Sequence, residues 1–491
     1  MKLIPQPYRA EWGSGAFCFG LSGMSRGAGL DEGLIATTVA QNSFINEFDL
    51  RADNLDASQR ANRLSNITSM VHIGSIPGAL IAFTFCERIG MLWSMRQLCL
   101  VWLIGVVIVI TASGSIGQIY AGRFIMGLGI GQAGIVAPTY LAETAPSHAR
   151  GLLVSMFGMS EYIGIMIGYF SAWSAAVDMP DTASKQWIVP QSTQILVAGI
   201  LGLSSFLCEE SPRHLCKVGK GDQARLALGR LWGLPADHTE ITSELEGIHR
   251  QMEAEHEFTS YKSWVSSLKE LLLIKSNQKR LLFVISEQVL SQWSGATSIT
   301  TYAPELFSLF GLSGQQEKLL TTAIFGAVKL VASLLCAILL IDHIGRKRSL
   351  SFGIIVQQVA LLYIAIYLTV DTPAEKQSPS MRRAALAAIV FIYFVGIGWA
   401  MGWNSIQYLI NAEVFPLRVR ATGSSLMMCF HYANRYGLSK AVPSMLLKDS
   451  LQPKGTFWFF SIMNFLGLLW TVFLLPETAG CTLEETNRLF Q

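Results

Sequence analysis

Eleven apolar stretches long enough to cross a bilayer recur along this chain, at about 64–86, 97–115, 118–138, 152–176, 188–208, 280–300, 319–341, 349–370, 385–411, 422–446 and 456–475. A helix needs roughly 20 apolar residues to span the hydrocarbon core. Lipid also forces every backbone polar group to be satisfied inside helices or a closed barrel, so a chain with this many long apolar runs has few folds open to it. A twelfth span is read at about 13–40, weak in hydropathy because Arg26, Asp31 and Glu32 stand among its glycines. Charges inside a span are tolerated only where they face a cavity or a partner, which makes span 1 a functional one. At 491 residues, 51% hydrophobic, 14% charged and a mean hydropathy of +0.39, the chain is too apolar for a soluble enzyme.

Charge then sets the expected topology. Placing alternate loops in the cytoplasm puts Arg88, Arg96, Arg150, the segment 209–279, the run Arg346-Lys347-Arg348, Arg418 and Arg420 on one side, as the positive-inside rule asks. Both termini are then cytoplasmic, in a multi-pass protein expected in the plasma membrane. The segment 209–279 is the one long polar insert and carries helical Glu/Lys patterning. It divides the chain into an N-terminal bundle 1–208, a helical linker 209–279, a C-terminal bundle 280–475 and a short tail 476–491. The start, MKLIPQPYRAEWGSG, lacks the continuous apolar region of a removable signal peptide, so span 1 itself is expected to direct insertion. A net charge of +3 with scattered basic residues excludes a nucleic-acid footprint. The eight cysteines form no CxxC pair, so neither a structural disulfide nor a metal site is expected, and no cofactor. The sequon Asn66-Ile67-Thr68 abuts span 2, too close to the membrane for glycosylation.

One helix stands out. In the stretch from Gly122 to Gly151, glycines at 127, 129, 131 and 134 are unfavourable in water but let a neighbouring helix approach closely in lipid. This helix is expected to be an interface rather than a lipid-facing post, with Arg123, Glu143 and Arg150 paired at its ends. The two halves also echo each other. Glu143-x-x-Pro146-x-x-x-Arg150 recurs as Glu413-x-x-Pro416-x-x-x-Arg420, and Glu87-Arg88-Ile89-Gly90 is answered by Asp342-His343-Ile344-Gly345-Arg346-Lys347. Ordered repetition of this kind is a trace of transporters built by duplication.

With these motifs the chain resembles, over nearly its whole length, the sugar-porter family of the major facilitator superfamily, particularly fungal members. The resemblance is carried by Gly122-Arg123 with Pro138-x-Tyr140-x-x-Glu143, Arg150-Gly151, Glu210-Ser211-Pro212-Arg213, Gln292-x-x-Gly295 with Tyr302-Ala303-Pro304-Glu305, Asp342-x-x-Gly345-Arg346-Lys347, Glu413-x-x-Pro416-x-x-x-Arg420, and Pro476-Glu477-Thr478-x-Gly480. It implies an all-α membrane protein with twelve transmembrane helices in two six-helix bundles and a cytoplasmic helical linker. Cargo would sit midway between bundles that rock against each other, so the implied function is secondary active transport rather than catalysis. Its partners would be a small-molecule substrate, protons and membrane lipid, with no nucleic acid. The substrate would be a sugar, polyol or sugar acid; an aromatic or secondary metabolite, quinate-like or polyketide-like, is the alternative. A non-transporting nutrient receptor on the same fold would signal through a long tail, which 476–491 does not supply.

The resemblance also places residues. Glu143, Arg150, Glu210, Arg213, Asp342, Arg346, Glu413, Arg420 and Glu477 are expected to form inner-gate networks at the cytoplasmic helix ends, the other reading being ordinary snorkelling charge. Where the family continues its first-half loop with two arginines, this chain has Gly90-Met91-Leu92. The cargo wall is expected from Gly158, Glu161, Ser291, Gln292, Thr297, Thr301, Lys329, Tyr408, His431 and Tyr432. Several of these replace the family's glutamines, asparagine and aromatics, so the fingerprint for an ordinary hexose is degraded. His431 and Glu161 are open to a plain packing role, and Lys329 either meets an anionic cargo or pairs with Glu161 or another buried acid. Gly29-Leu30-Asp31-Glu32-Gly33 matches the family's span 1 motif, which makes Asp31 the expected proton carrier and Arg123 its partner. A static Asp31–Arg123 pair, or Glu32 as the carrier, are the competing readings.

Overall fold

The computed structural model describes residues 27–51, 55–146, 150–259, 264–336, 345–370, 379–404, 407, 410, 414–415 and 417–476, and no strand occurs among them. Six long helices precede the linker: α1 (Gly27–Thr38), α2 (Ala57–Ile89), α3 (Met91–Ile110), α4 (Ile116–Thr144), α5 (Arg150–Asp178) and α6 (Lys185–Ser204). The linker folds as α7 (Pro212–Lys217), α8 (Gly221–Trp232), α9 (Thr239–Thr259) and α10 (Trp264–Leu273). After it come α11 (Lys275–Trp293), α12 (Ala296–Thr301), α13 (Ala303–Ser308), α14 (Gln315–Leu335), α15 (Arg346–Val370), α16 (Pro379–Met401), α17 (Leu417–Met445) and α18 (Gln452–Phe473). The helices before the linker pack mainly on one another, as do those after it; α2 against α17 and α5 against α14 join the two sets.

The glycines of α4 are spent on close approach. A Cβ at Gly127 would meet the carbonyl oxygen of Val71, and one at Gly131 that of Ser75, both on α2. Gly129 abuts Leu98 and Trp102 of α3, while Gly134 faces the hydroxyl of Tyr432 on α17. The expectation of an interface helix holds, with three different neighbours served by four glycines. Gly29 and Gly33 of α1 make the same backbone approach to Glu161 and Ile165 of α5, which brings Asp31 and Glu32 to the centre of the fold.

Among the described residues, seven helices are long and apolar enough to cross a membrane: α3, α4, α6, α14, α15, α16 and α18. Their outward faces carry exposed apolar side chains such as Leu100, Leu196, Leu203, Ile355 and Ile462, which suit lipid and not water. Of the remaining long bundle helices, α1, α2, α5, α11 and α17 fall outside that set, and each carries buried charged or polar groups. The span expected at 280–300 is broken rather than continuous. Helix α11 ends at Trp293, and Gly295 follows with φ of +89° and the ring of Phe460 packed where a Cβ would lie. That turn resets the axis before α12, so that Thr297 and Thr301 are presented from a separate short helix. The span expected at 97–115 runs earlier, at Met91–Ile110, directly after Gly90 at φ +89°.

The linker has its own small core of Cys216, Ala224, Leu228, Trp232, Ile241 and Leu245. Trp232 Nε1 donates to the carbonyl of Thr144 at 3.0 Å, tying that core to the end of α4. Arg230 and Glu209 form an exposed pair at 2.6 Å, and the carboxylate raises the Arg230 pKa.

Candidate functional site

The site is built from α1 outward. Asp31 is fixed by a two-point contact to Arg123 of α4, Nη1 to Oδ1 at 2.9 Å and Nη2 to Oδ2 at 3.1 Å, and Nη2 also reaches the carbonyl of Thr68 at 3.4 Å. Both residues are almost fully buried, and all three of these elements belong to the first bundle. Such a pairing, planar and bidentate, is what arginine supplies and lysine does not. The next residue points elsewhere, because adjacent helical positions differ by about 100° around the axis. Glu32 Oε2 accepts from Nη2 of Arg435 on α17 at 2.7 Å, so this buried ion pair crosses from the first bundle to the second.

Two cavities flank these pairs. The first is small, with room for only about one water molecule in this conformation, as expected of a site whose walls close together when no cargo holds them apart. Its walls include Glu32, Glu161, Gln292, Thr297, Thr300, Lys329, Asn404, Gln407, His431 and Arg435, with Tyr162 and Trp399 as aromatic surface. The second is lined by Asp31, Glu32, Thr68, His72, Arg123, Thr301, Tyr432 and Arg435. Glu32 and Arg435 belong to both walls.

The polar walls are locally ordered. Gln292 Nε2 donates to Gln407 Oε1 at 3.1 Å, and His431 Nδ1 meets Gln288 Oε1 at 2.9 Å while Gln288 Nε2 donates to Glu287 at 2.9 Å. The same Nδ1 lies 3.5 Å from Gln292 Nε2, so the imidazole is held between the two glutamines. Lys329 Nζ donates to Thr300 Oγ1 at 2.7 Å and lies 4.9 Å from the ring centre of Tyr162. Its described partner is thus a hydroxyl and an aromatic face. The buried Gln292 Oε1 and Asn404 Nδ2 have no hydrogen-bond partner among the described residues, which leaves an acceptor and a donor on the first cavity's wall.

Of the expected cargo residues, the first cavity gathers Glu161, Gln292, Thr297, Lys329 and His431, and the second Thr301 and Tyr432. Ser291 and Gly158 are buried but line neither. Ser291 sits one position from Gln292, so its hydroxyl turns away and donates to the carbonyl of Gln288 at 3.2 Å. Gly158 is one turn before Glu161 and has no side chain to extend. Tyr408 lies outside the described residues.

The expected inner gate is described only in part. Asp342, Glu413 and Glu477 lie outside the described residues, as do the side chains of Arg150, Arg346 and Arg420. Glu143 accepts from the Ser211 hydroxyl, and that same hydroxyl accepts from His214 N–H at the start of α7, whose second residue is Arg213. Glu210 accepts from the backbone N–H groups of Met91 at 3.0 Å and Leu92 at 3.3 Å. The loop that lacks the family's arginines therefore holds its acid by the open N–H groups of a helix start, where the macrodipole favours an anion.

At the end of the molecule away from the linker, the bundles meet through hydrogen bonds. Thr68 and Tyr302 hydroxyls are 2.7 Å apart and Tyr302 donates on to the carbonyl of Ser439 at 2.7 Å. Lys440 donates to Asn62 and Asn66, so the asparagine of the sequon is engaged, and Asn42 N–H donates to Gln315 Oε1 at 3.0 Å.

Arg435, Asn404, Gln407 and His72 also line the cavities and belong to none of the sequence motifs. Arg435 and His72 carried a usable signal, as ionisable groups inside the apolar runs 422–446 and 64–86. The two amides carried none, since a lone Asn or Gln in a span is as often a satisfied packing contact.

A family model described as "Sugar (and other) transporter" matches residues 18–490. A probable quinate permease of Aspergillus niger is 30% identical over 468 residues, covering 94% of this chain and 85% of that protein. A quinate permease of Emericella nidulans shows the same identity and coverage. Among solved structures, the major facilitator proton:xylose symporter XylE bound to 6-bromo-6-deoxy-D-glucose superposes with a TM-score of 0.80 at 22% identity, over 99% of this chain and 100% of that one. The partially occluded inward-open XylE of E. coli gives 0.77 at 22%, over 96% and 100%. At that identity the superposition establishes the fold: two facing helical bundles of the major facilitator type.

Proposed function

This chain belongs to the sugar transporter family, as a multi-pass membrane transporter rather than an enzyme, and we propose that it carries a small polyhydroxylated cargo in symport with a proton. The cargo is a sugar, polyol or sugar acid, held in the first cavity and passed across by alternating access. The observation that carries this reading is the buried Asp31–Arg123 pair on the wall of the second cavity, one residue along α1 from the acid that lines both.

Burial favours the neutral acid and an adjacent guanidinium favours the carboxylate. A movement that changes the Asp31 to Arg123 separation therefore loads and releases a proton as the cavity changes sides. The bundles 1–208 and 280–475 rock as units in the plasma membrane, with the linker 209–279, the tail 476–491 and both termini on the cytoplasmic side. Arg150 and Arg420 hold equivalent inner-gate networks on that side. Alanine at either lowers the accessibility of a cavity cysteine from outside; unchanged labelling in both variants would reduce the arginines to topology signals.

A quinate-like acid is the second reading, favoured by the quinate permeases among the relatives and by Lys329 and Arg435 in the cargo wall. The test is cargo-induced proton movement in proteoliposomes, reading external pH on addition of sugars, polyols, sugar acids and quinate. At least one cargo is expected to alkalinise the medium as it enters. Uptake of labelled cargo without proton movement would overturn the coupling.

A further inference from the structure

We propose that Arg435 selects a carboxylate on the cargo, and that the cargo carboxylate and Glu32 compete for it. This rests on the transporter reading above and narrows its cargo to polyhydroxylated monocarboxylates.

The first cavity does not need its charged groups to recognise hydroxyls. Hydroxyl recognition is already provided by Gln292, Asn404 and Gln407, two of which have an atom free to bond to cargo. Yet the same wall holds four formal charges, Glu32, Glu161, Lys329 and Arg435. Burying an ion pair gains little or nothing in stability over apolar packing, so charges at a cargo wall call for another explanation. A charged cargo supplies one.

The position of the arginine supports it. Arg435 is 6% exposed and stands where the two cavities meet, on the opposite bundle from Glu32. Its guanidinium matches a carboxylate in the two-point manner that Arg123 uses on Asp31, whereas Glu32 touches it through a single N–H to oxygen contact. An incoming carboxylate can therefore offer Arg435 a better-shaped partner than Glu32, with Lys329 on the same wall to receive negative charge. Because Glu32 and Arg435 lie on different bundles, the exchange also removes a tie between them. Cargo binding and release of the bundles become one event.

The experiment uses purified full-length protein and equilibrium binding of tritiated quinate, competed by unlabelled quinate, its neutral carboxamide and xylose. Arg435→Gln is expected to weaken quinate on the order of 10- to 100-fold, the loss of one charge-assisted contact, while leaving the carboxamide within about threefold. Glu32→Gln is expected to tighten quinate severalfold, because the competing carboxylate is gone. A merely structural ion pair predicts the reverse, with both variants weakening acid and amide alike, and that result would overturn the proposal. If Arg435→Gln does not fold, Glu32→Gln and the charge-keeping Arg435→Lys, expected to weaken quinate selectively, separate the two readings equally well. Wild-type protein that binds the carboxamide or xylose but not quinate overturns the carboxylate assignment and leaves the transporter reading standing. Wild-type protein that neither binds nor transports any of the three contradicts both.

Discussion

Along one flank α2 lies against α4 and along the other against α17, and the two contacts are made of different materials. Against α4 the backbones touch: Gly127 and Gly131 admit the carbonyls of Val71 and Ser75, and no side chain stands between to adjust. Against α17 the contact is through side chains, with Ala79 packed on Met428, Cys429 and Tyr432, and through polar links: Cys429 Sγ to the Ile76 carbonyl at 3.6 Å, Thr68 by way of Tyr302 to the Ser439 carbonyl, and Lys440 with Asn62 and Asn66. The ion pairs repeat the division. Asp31–Arg123 is bidentate and stays within one bundle, while Glu32–Arg435 is single-point and crosses between bundles. Close packing transmits motion without yielding, whereas polar side-chain links can be exchanged for water or cargo at modest cost. The bundles are thus built to move whole, and the surface between them is built to part.

The largest effect is expected within a bundle. Arg123→Gln leaves the Asp31 carboxylate buried without its cation, a loss of about 3–5 kcal/mol, seen as a lower melting temperature in detergent. The double variant with Asp31→Asn is expected to recover most of that loss. Wild-type melting in the single variant would remove the pair from the structural core of the first bundle.

Next is the packing contrast. Gly127→Leu is expected to cost about 1–3 kcal/mol or more by forcing α2 from α4. Gly134→Ala meets the Tyr432 side chain and the end of Met428, both across the bundles, and is expected to keep the melting temperature while slowing transport. Equal melting losses in the two variants would erase the distinction.

Smaller still is Tyr302→Phe, which deletes the hydroxyl between Thr68 and the Ser439 carbonyl. A shift of about 1–3 kcal/mol towards opening at that end is expected, read as faster labelling of a cysteine placed at the buried Ser65. Lys440→Ala, on a partly exposed contact, is expected to move the same labelling least, by less than about 1 kcal/mol.

How much of this was legible follows from the same division. The lipid-facing helices α3, α6, α15 and α18 were readable from apolar length alone, because their outward faces have no other constraint. The within-bundle features were readable too: the glycine stripe of α4 and the Asp31 and Arg123 pair stand out as small or charged residues in apolar runs. The pairing of charges across the surface between bundles was not. Glu32 and Arg435 are 403 residues apart, and no local pattern reports a pairing that only the facing of the bundles creates. The break at Gly295 escaped for a related reason, since it is the ring of Phe460, from the other end of the C-terminal half, that fills the space beside it. Replacement of the family's loop arginines by the N–H groups of Met91 and Leu92 was invisible because backbone donors leave no mark in a sequence.

Two adjacent acids on α1 should therefore have separable roles, and one paired measurement decides it. Asp31→Asn and Glu32→Gln are reconstituted side by side, and each is assayed for accumulation of labelled cargo under a proton gradient and for exchange between preloaded vesicles without one. Asp31→Asn is expected to lose accumulation and keep exchange, while Glu32→Gln keeps accumulation. Accumulation that survives in Asp31→Asn and fails in Glu32→Gln would contradict this assignment and make the acid between the bundles the proton carrier.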